Sequence, residues 1–241
     1  EPADIARRGS DGASGGGNAS GDGSDVILGH RILESTILIA NIAIKNLDCL
    51  KITSKVIDSN STSARAIASY RFTDLQTESK VTSHGYVEDV SNNGRLYASS
   101  SLEYEDNATS IFMGSSYSLR AKVSSESYGY ANALATVSEM IYFTAVKSCD
   151  IIFSFNYSGT DNAMNPGLDP YNYSCAGIHF QIANFSKAES KGMAVNVLDA
   201  DHISPGTLTT TMHFEAGESG WITLGASAGA SLYRPDPSLE R

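Results

Sequence analysis

The residues of this chain best suited to chemistry are oxygen donors crowded into one loop. Between Gly159 and Asn172, Asp161, Asn162, Asn165 and Asp169 offer carboxylate and amide oxygens at close spacing. Such a loop suits Ca²⁺, a hard cation that collects roughly six to eight oxygens in flexible geometry. Calcium is therefore the one cofactor suggested, and tyrosines beside the loop could stack on a sugar. Nucleophilic chemistry has less support. Gly225-Ala226-Ser227-Ala228-Gly229 has the form G-x-S-x-G, but a nucleophile elbow needs a strand, a sharp turn and a helix, with an acid and a histidine later in the chain. The histidines, His30, His84, His179, His202 and His213, all precede Ser227, and none is paired at metal-ligand spacing. Glu103, Glu105 and Asp106 are acids of the type that glycosidases pair, at a strand end where acids also serve solvation. No catalytic set is assigned, and the chain is expected not to be an enzyme.

Cysteine and asparagine usage points outside the cell. Cys49, Cys149 and Cys175 lack the spacing of a zinc site. Cys149 and Cys175 open consecutive strands, and the starts of a hairpin's two strands lie at opposite ends. The expected disulfide is therefore Cys49–Cys149. Asn18, Asn60, Asn107, Asn156, Asn172 and Asn184 each open Asn-X-Ser/Thr, the acceptor signal for N-glycosylation.

These side chains must be held by strands. Along Gly220–Tyr233, Ile222, Leu224, Ala226, Ala228, Ala230 and Leu232 share one face, and Gly225, Ser227, Gly229 and Ser231 the middle of the other. Period two marks a strand with one face in a core. A second face this small would let another sheet or chain approach. Thr36–Ile44 is β-branched and apolar on both faces, the pattern of a strand buried on both sides or passing between subunits. Ile37, Ile39, Ile42 and Ile44 join Gly225, Ser227, Gly229 and Ser231 as the expected subunit interface. Asn92-Asn93-Gly94 signals a tight turn between two alternating runs. Ile151, Phe153 and Phe155, then Ile178, Phe180 and Ile182, alternate in the same way.

The fold class expected is all-β, an antiparallel sandwich or jelly roll of about ten or more strands. It would occupy residues 29–241 as a single domain. Residues 1–28, rich in Gly, Ser and Asp, bury too little apolar area to offset their ordering entropy and read as a low-complexity tail or linker. A length of 241 residues with 41% hydrophobic content supports a full core, and a formal charge of −10 disfavours nucleic acid. No apolar run approaches the roughly 20 residues of a membrane span.

The run Phe214–Tyr233, F-E-A-G-E-S-G-W-I-T-L-G-A-S-A-G-A-S-L-Y, resembles the last hairpin of secreted β-sandwich proteins of the PEP-CTERM type. Those proteins follow the sandwich with Val-Pro-Glu-Pro-Ser, where this chain has Arg234-Pro235-Asp236-Pro237-Ser238. In that family Pro-acid-Pro is a sorting signal leading into a membrane helix and a basic end, neither of which follows here. The resemblance implies an extracellular or cell-surface location more than an activity.

Together these readings describe a structural subunit of an extracellular prokaryotic filament, sheath or surface layer. Copies would assemble through strand or edge contacts, because an open sandwich edge is a template for another strand. The alternative is a carbohydrate-binding, lectin-like module, with glycans as partners and the Asp/Tyr loop as its site.

Overall fold

A computed structural model describes residues 31–57, 63–69, 80–81, 86–106, 111–112, 114–161, 172–197, 202–234 and 236. Numbered along the chain, one sheet runs β12 (His202–Phe214), β9 (Cys149–Asp161), β1 (Arg31–Lys45), β7 (Gly114–Ser125), β6 (Leu96–Asp106) and β5 (Tyr86–Asn93). We call it the first sheet. The second runs β11 (Glu189–Val197), β10 (Tyr173–Asn184), β13 (Ser219–Arg234), β8 (Gly129–Ala145), β3 (Ser63–Ser69) and β4 (Lys80–Val81). A further strand, β2 (Leu50–Ile57), pairs with the end of β8 that β3 leaves open. All pairings are antiparallel. Among the described residues there is no α-helix, only the 3-10 turn Leu47–Cys49. The chain is thus all-β, with two antiparallel sheets facing each other across one core.

The alternating patterns place that core. Phe153 and Phe155 of β9 meet Phe180 of β10 edge-on, with centroids 5.6 and 5.1 Å apart, tying the first sheet to the second. Where Ala131, Ala133 and Ala135 of β8 lie beside Ala226, Ala228 and Ala230 of β13, the core side chains are short. There the sheets come close enough for Ser35 of β1 to donate to the Gly229 carbonyl at 2.9 Å, fully buried. The hairpin expected at Asn92-Asn93-Gly94 joins β5 to β6, with Gly94 in the left-handed region at φ 61°.

Two expected interface surfaces are corrected. The strand β1 has one core face, not two. A β-bulge between Ala40 and Ala43 adds one residue relative to β9, with Asn41 at φ 54°. Leu33, Ser35, Ile37 and Ile39 therefore point inward before the bulge, while Ile42 and Ile44 pack on the core after it. The change of phase accounts for Ile42 and Ile44, Ile37 and Ile39 are core residues, and Leu38, 45% exposed, lies on the outer face. On β13 the small-residue face is closed by its own sheet. A Cβ on Gly225 would lie 2.0 Å from Cε1 of His179, and one on Gly229 3.1 Å from Cys175 Sγ. Gly225, Gly229 and Ser231 are buried under these neighbours, and Ser227 is half-buried.

Candidate functional site

The first candidate is a polar constellation at the end of the molecule where β8 turns into β9 and β12 into β13. The β9–β12 register sets His213 opposite Asp150. The ring Nδ1 is 2.8 Å from Asp150 Oδ1, and Nε2 is 3.1 Å from Glu215 Oε1 and 3.3 Å from Ser148 Oγ. Ser, His and Asp in this order have the outline of a charge-relay triad. The proton inventory opposes that role. A general base needs a lone pair on Nε2, but carboxylates face both ring nitrogens and favour the imidazolium, which donates from both. The Asp150 hydrogen bond, then that of Glu215, holds His213 above its ordinary value. Hydrogen bonds from Ser148 and then His213 hold Glu215 below its own. The group is an exposed hydrogen-bonded clamp that ties β9, β12 and the turn after β12 together.

The second candidate is a charge inside the sandwich. Glu139 lies on the core face of β8 between Val137 and Ile141 and is 1% exposed. Lys55 of β2 extends its Nζ to 3.6 Å from Oε2. From the opposite sheet, Tyr117 donates its hydroxyl to Oε1 and accepts the Gly114 N–H at 2.9 Å. Burial, and then the Glu139 charge, drive the Tyr117 phenol far above its ordinary range. The Tyr104 ring lies 6.0 Å from that of Tyr117, and its buried hydroxyl has no partner among the described residues. A paired core carboxylate of this kind holds strands in place more than it adds net stability. Sequence reading passed over it, although Glu139 sits in the inward phase of Ala131, Ala133, Ala135 and Val137.

Asn162, Asn165 and Asp169 lie outside the described residues, and Asp161 ends β9. Among the described residues no cluster of His, Cys, Asp and Glu suits a metal ion. Of the sequons, Asn18, Asn60 and Asn107 lie outside the described residues. Asn172 and Asn184 are buried at 5% and 1%, which corrects their assignment as glycan sites. Asn172 accepts the Tyr233 N–H at 2.7 Å, and Asn184 Nδ2 donates to Glu218 at 2.8 Å, so a glycan on Asn184 would break a buried contact. Asn156 is exposed on β9 and accepts from Thr207 through Oδ1 at 2.8 Å, which leaves a glycan on its nitrogen feasible. Cys49 and Cys149 are neighbours as expected, but as hydrogen-bonded thiols and not as a disulfide. Burial, then that hydrogen bond, pushes Cys149 up to about 12.

The outer face of the first sheet carries two open grooves. One of about 390 Å³ is lined by Leu38, Asn156, Tyr157 and Pro205–Thr207. The other, of about 300 Å³, lies among Tyr86, Glu88, Tyr97, Arg120 and Lys122.

The third candidate is the set of strand edges, and here the molecule treats its strands unequally. On one flank, Lys191 of β11 reaches the Thr211 carbonyl of β12 at 3.2 Å. On the other, the β3 amides of Ala66 and Ala68 are taken by Asp89 Oδ2 at 2.7 Å and Ser91 Oγ at 2.9 Å from β5. The Arg65 carbonyl of β3 accepts from Ser100 at 2.9 Å. Edge groups occupied by side chains offer less to an incoming strand. By contrast, among the described residues β2 pairs only with β8 and β5 only with β6. Both expose large apolar residues, Ile52 at 40% and Val56 at 48% on β2, Tyr86 at 53% and Val90 at 47% on β5.

What fold and surface define is a two-sheet antiparallel sandwich with some edges capped and others open. Comparison with protein families, curated proteins and solved structures returns no match. Among the described residues no helix is long and apolar enough to cross a membrane.

Proposed function

We propose that this protein is a structural subunit of an extracellular prokaryotic filament, sheath or surface layer, built by strand addition between copies, with its two sheets read as a jelly roll. One observation carries the reading: the chain caps backbone groups of β3 and β12 with side chains, yet leaves β2 and β5 each with one strand partner among the described residues and with large apolar residues exposed. Soluble monomers blunt such edges, because an unpaired edge recruits other chains. The exposed Asn156 sequon and the PEP-CTERM resemblance support a cell-surface location. Negative-stain microscopy of the purified chain tests the reading: long ordered assemblies are expected, and a field of single particles at every concentration would refute it.

A second reading, a glycan-binding module, is favoured by the groove that carries Tyr86 and Tyr97 over a floor of Ser99 and Ser101. Tyrosine faces stack on sugars, and Glu88 and Arg120 would bond hydroxyls. Mobility retardation in gels containing soluble polysaccharide, lost in Tyr97→Ala, is the result that would favour it.

A further inference from the structure

We infer that Asn156 is N-glycosylated and that its first sugar lies in the groove on the outer face of the first sheet. This rests on the extracellular location in the reading above and not on self-assembly. Asn156-Tyr157-Ser158 is an acceptor sequence in the middle of β9. Residues two apart on a strand share a face, so the acceptor asparagine and the hydroxyl residue that completes its signal both line the groove of about 390 Å³. The side-chain amide is turned for the task. Strand pairing sets Asn156 between Ala40 of β1 and Thr207 of β12, and Thr207 donates to Oδ1 at 2.8 Å. Nδ2, the atom that bears the sugar, therefore points away from β12, toward the β1 side, and no group among the described residues bonds it. On that side stands Leu38, an apolar side chain left 45% exposed, with Ala40 also lining the groove.

The occupant follows from the attachment point and the wall. A 2-acetamido sugar linked at Nδ2 carries a methyl group and a ring face of C–H bonds, which cover Leu38 and Ala40 and remove their apolar surface from water. Its hydroxyls are left for Ser158 and solvent. The transfer joins Nδ2 to the anomeric carbon of a lipid-diphosphate-linked glycan. The bond from that carbon to the diphosphate oxygen breaks, the lipid diphosphate leaves with the electron pair, and the amide gives up one proton. The transfer precedes the pairing of β9, and the finished fold must then house the product. Asn172 and Asn184 fail that requirement. Asn172 is buried and holds the Tyr233 N–H through Oδ1, while Asn184 is buried and commits Nδ2 itself to Glu218.

The test uses the full chain, secreted from cells that N-glycosylate and, for comparison, produced in bacterial cytosol without glycan. Glycopeptide mass spectrometry of the secreted protein is expected to find sugar on Asn156 and none on Asn172 or Asn184, and Ser158→Ala to abolish the modification. An endoglycosidase then trims the glycan to its first sugar. Under reducing conditions this form is expected to melt about 2–4 °C above the unmodified chain, and Leu38→Ser, on the exposed outer face, to lose most of that difference. Secreted protein that is bare at Asn156, or that carries sugar on Asn184, overturns the assignment. Occupancy at Asn156 with no gain in melting temperature, or with a gain that survives in Leu38→Ser, overturns the seat in the groove. Either failure leaves the filament reading to stand or fall by microscopy.

Discussion

The single residue that most constrains this sandwich is Glu139. Its carboxylate sits in the core and is held by Tyr117 from one sheet and Lys55 from an outer strand. Removing one partner of a buried charge costs more than the contact contributes, because the charge stays behind undercompensated. Tyr117→Phe is expected to lower unfolding stability by about 2 kcal/mol in urea titration. A loss of no more than a few tenths of a kcal/mol would contradict the coupling of Tyr117 to Glu139. His213 gives a prediction with a sign. Its folded pKa is raised above the ordinary value of 6.5 by Asp150 and Glu215, so its stabilisation is present below that value and fades as pH climbs through the folded pKa. Thermal melts of wild type and His213→Asn should therefore differ at pH 5 and converge at pH 9. A difference that grows with pH would contradict the imidazolium assignment.

Among elements, capping decides which strands are closed. Asp89 and Ser91 point inward from β5 to the amides of β3, so Asp89→Ala with Ser91→Ala strands two main-chain donors. The double variant is expected to lose about 2–4 kcal/mol and to aggregate more readily on partial unfolding, as followed by urea titration and light scattering. Oxidation is expected to join Cys49 to Cys149 and so tie the 3-10 turn before β2 to the start of β9. Closing a loop of about 100 residues would stabilise by about 4.7 kcal/mol in the chain-entropy picture. The raised Cys149 pKa, about 12, keeps it mostly thiol at neutral pH, so oxidation should quicken as pH rises. Mass spectrometry would show the loss of two hydrogens, and an oxidation rate flat with pH would count against that thiol environment.

Strand identity was legible because period two is a local signal. Ile151, Phe153 and Phe155 declare their face without help from the rest of the chain, and Gly94 declares its turn. The candidate site was much less legible, for two physical reasons. A bulge at Asn41 inverts the phase of β1 halfway along, so Ile37 and Ile44 look like opposite faces although both belong to the core side. Edge protection depends on which strand is outermost and on contacts between distant segments, as between Asp89 and Ala66 or Lys191 and Thr211. In sequence those acids and lysines look like ordinary surface residues. The small face of β13 misled for a related reason, because what covers Gly225 is His179 of the adjacent strand.

For the whole molecule, the central claim is that this sandwich is an incomplete sheet system, finished by its neighbours through β2 and β5. The most direct measurement is amide hydrogen exchange on the assembled protein and on monomer, read strand by strand. Amides of Leu50–Ile57 and Tyr86–Asn93 whose N–H groups lie on the outer edges should exchange fast in the monomer and become protected together on assembly, while β3 and β11 change little. Protection gained on β11, or on the outer face of the first sheet, with β2 and β5 unchanged, would contradict it.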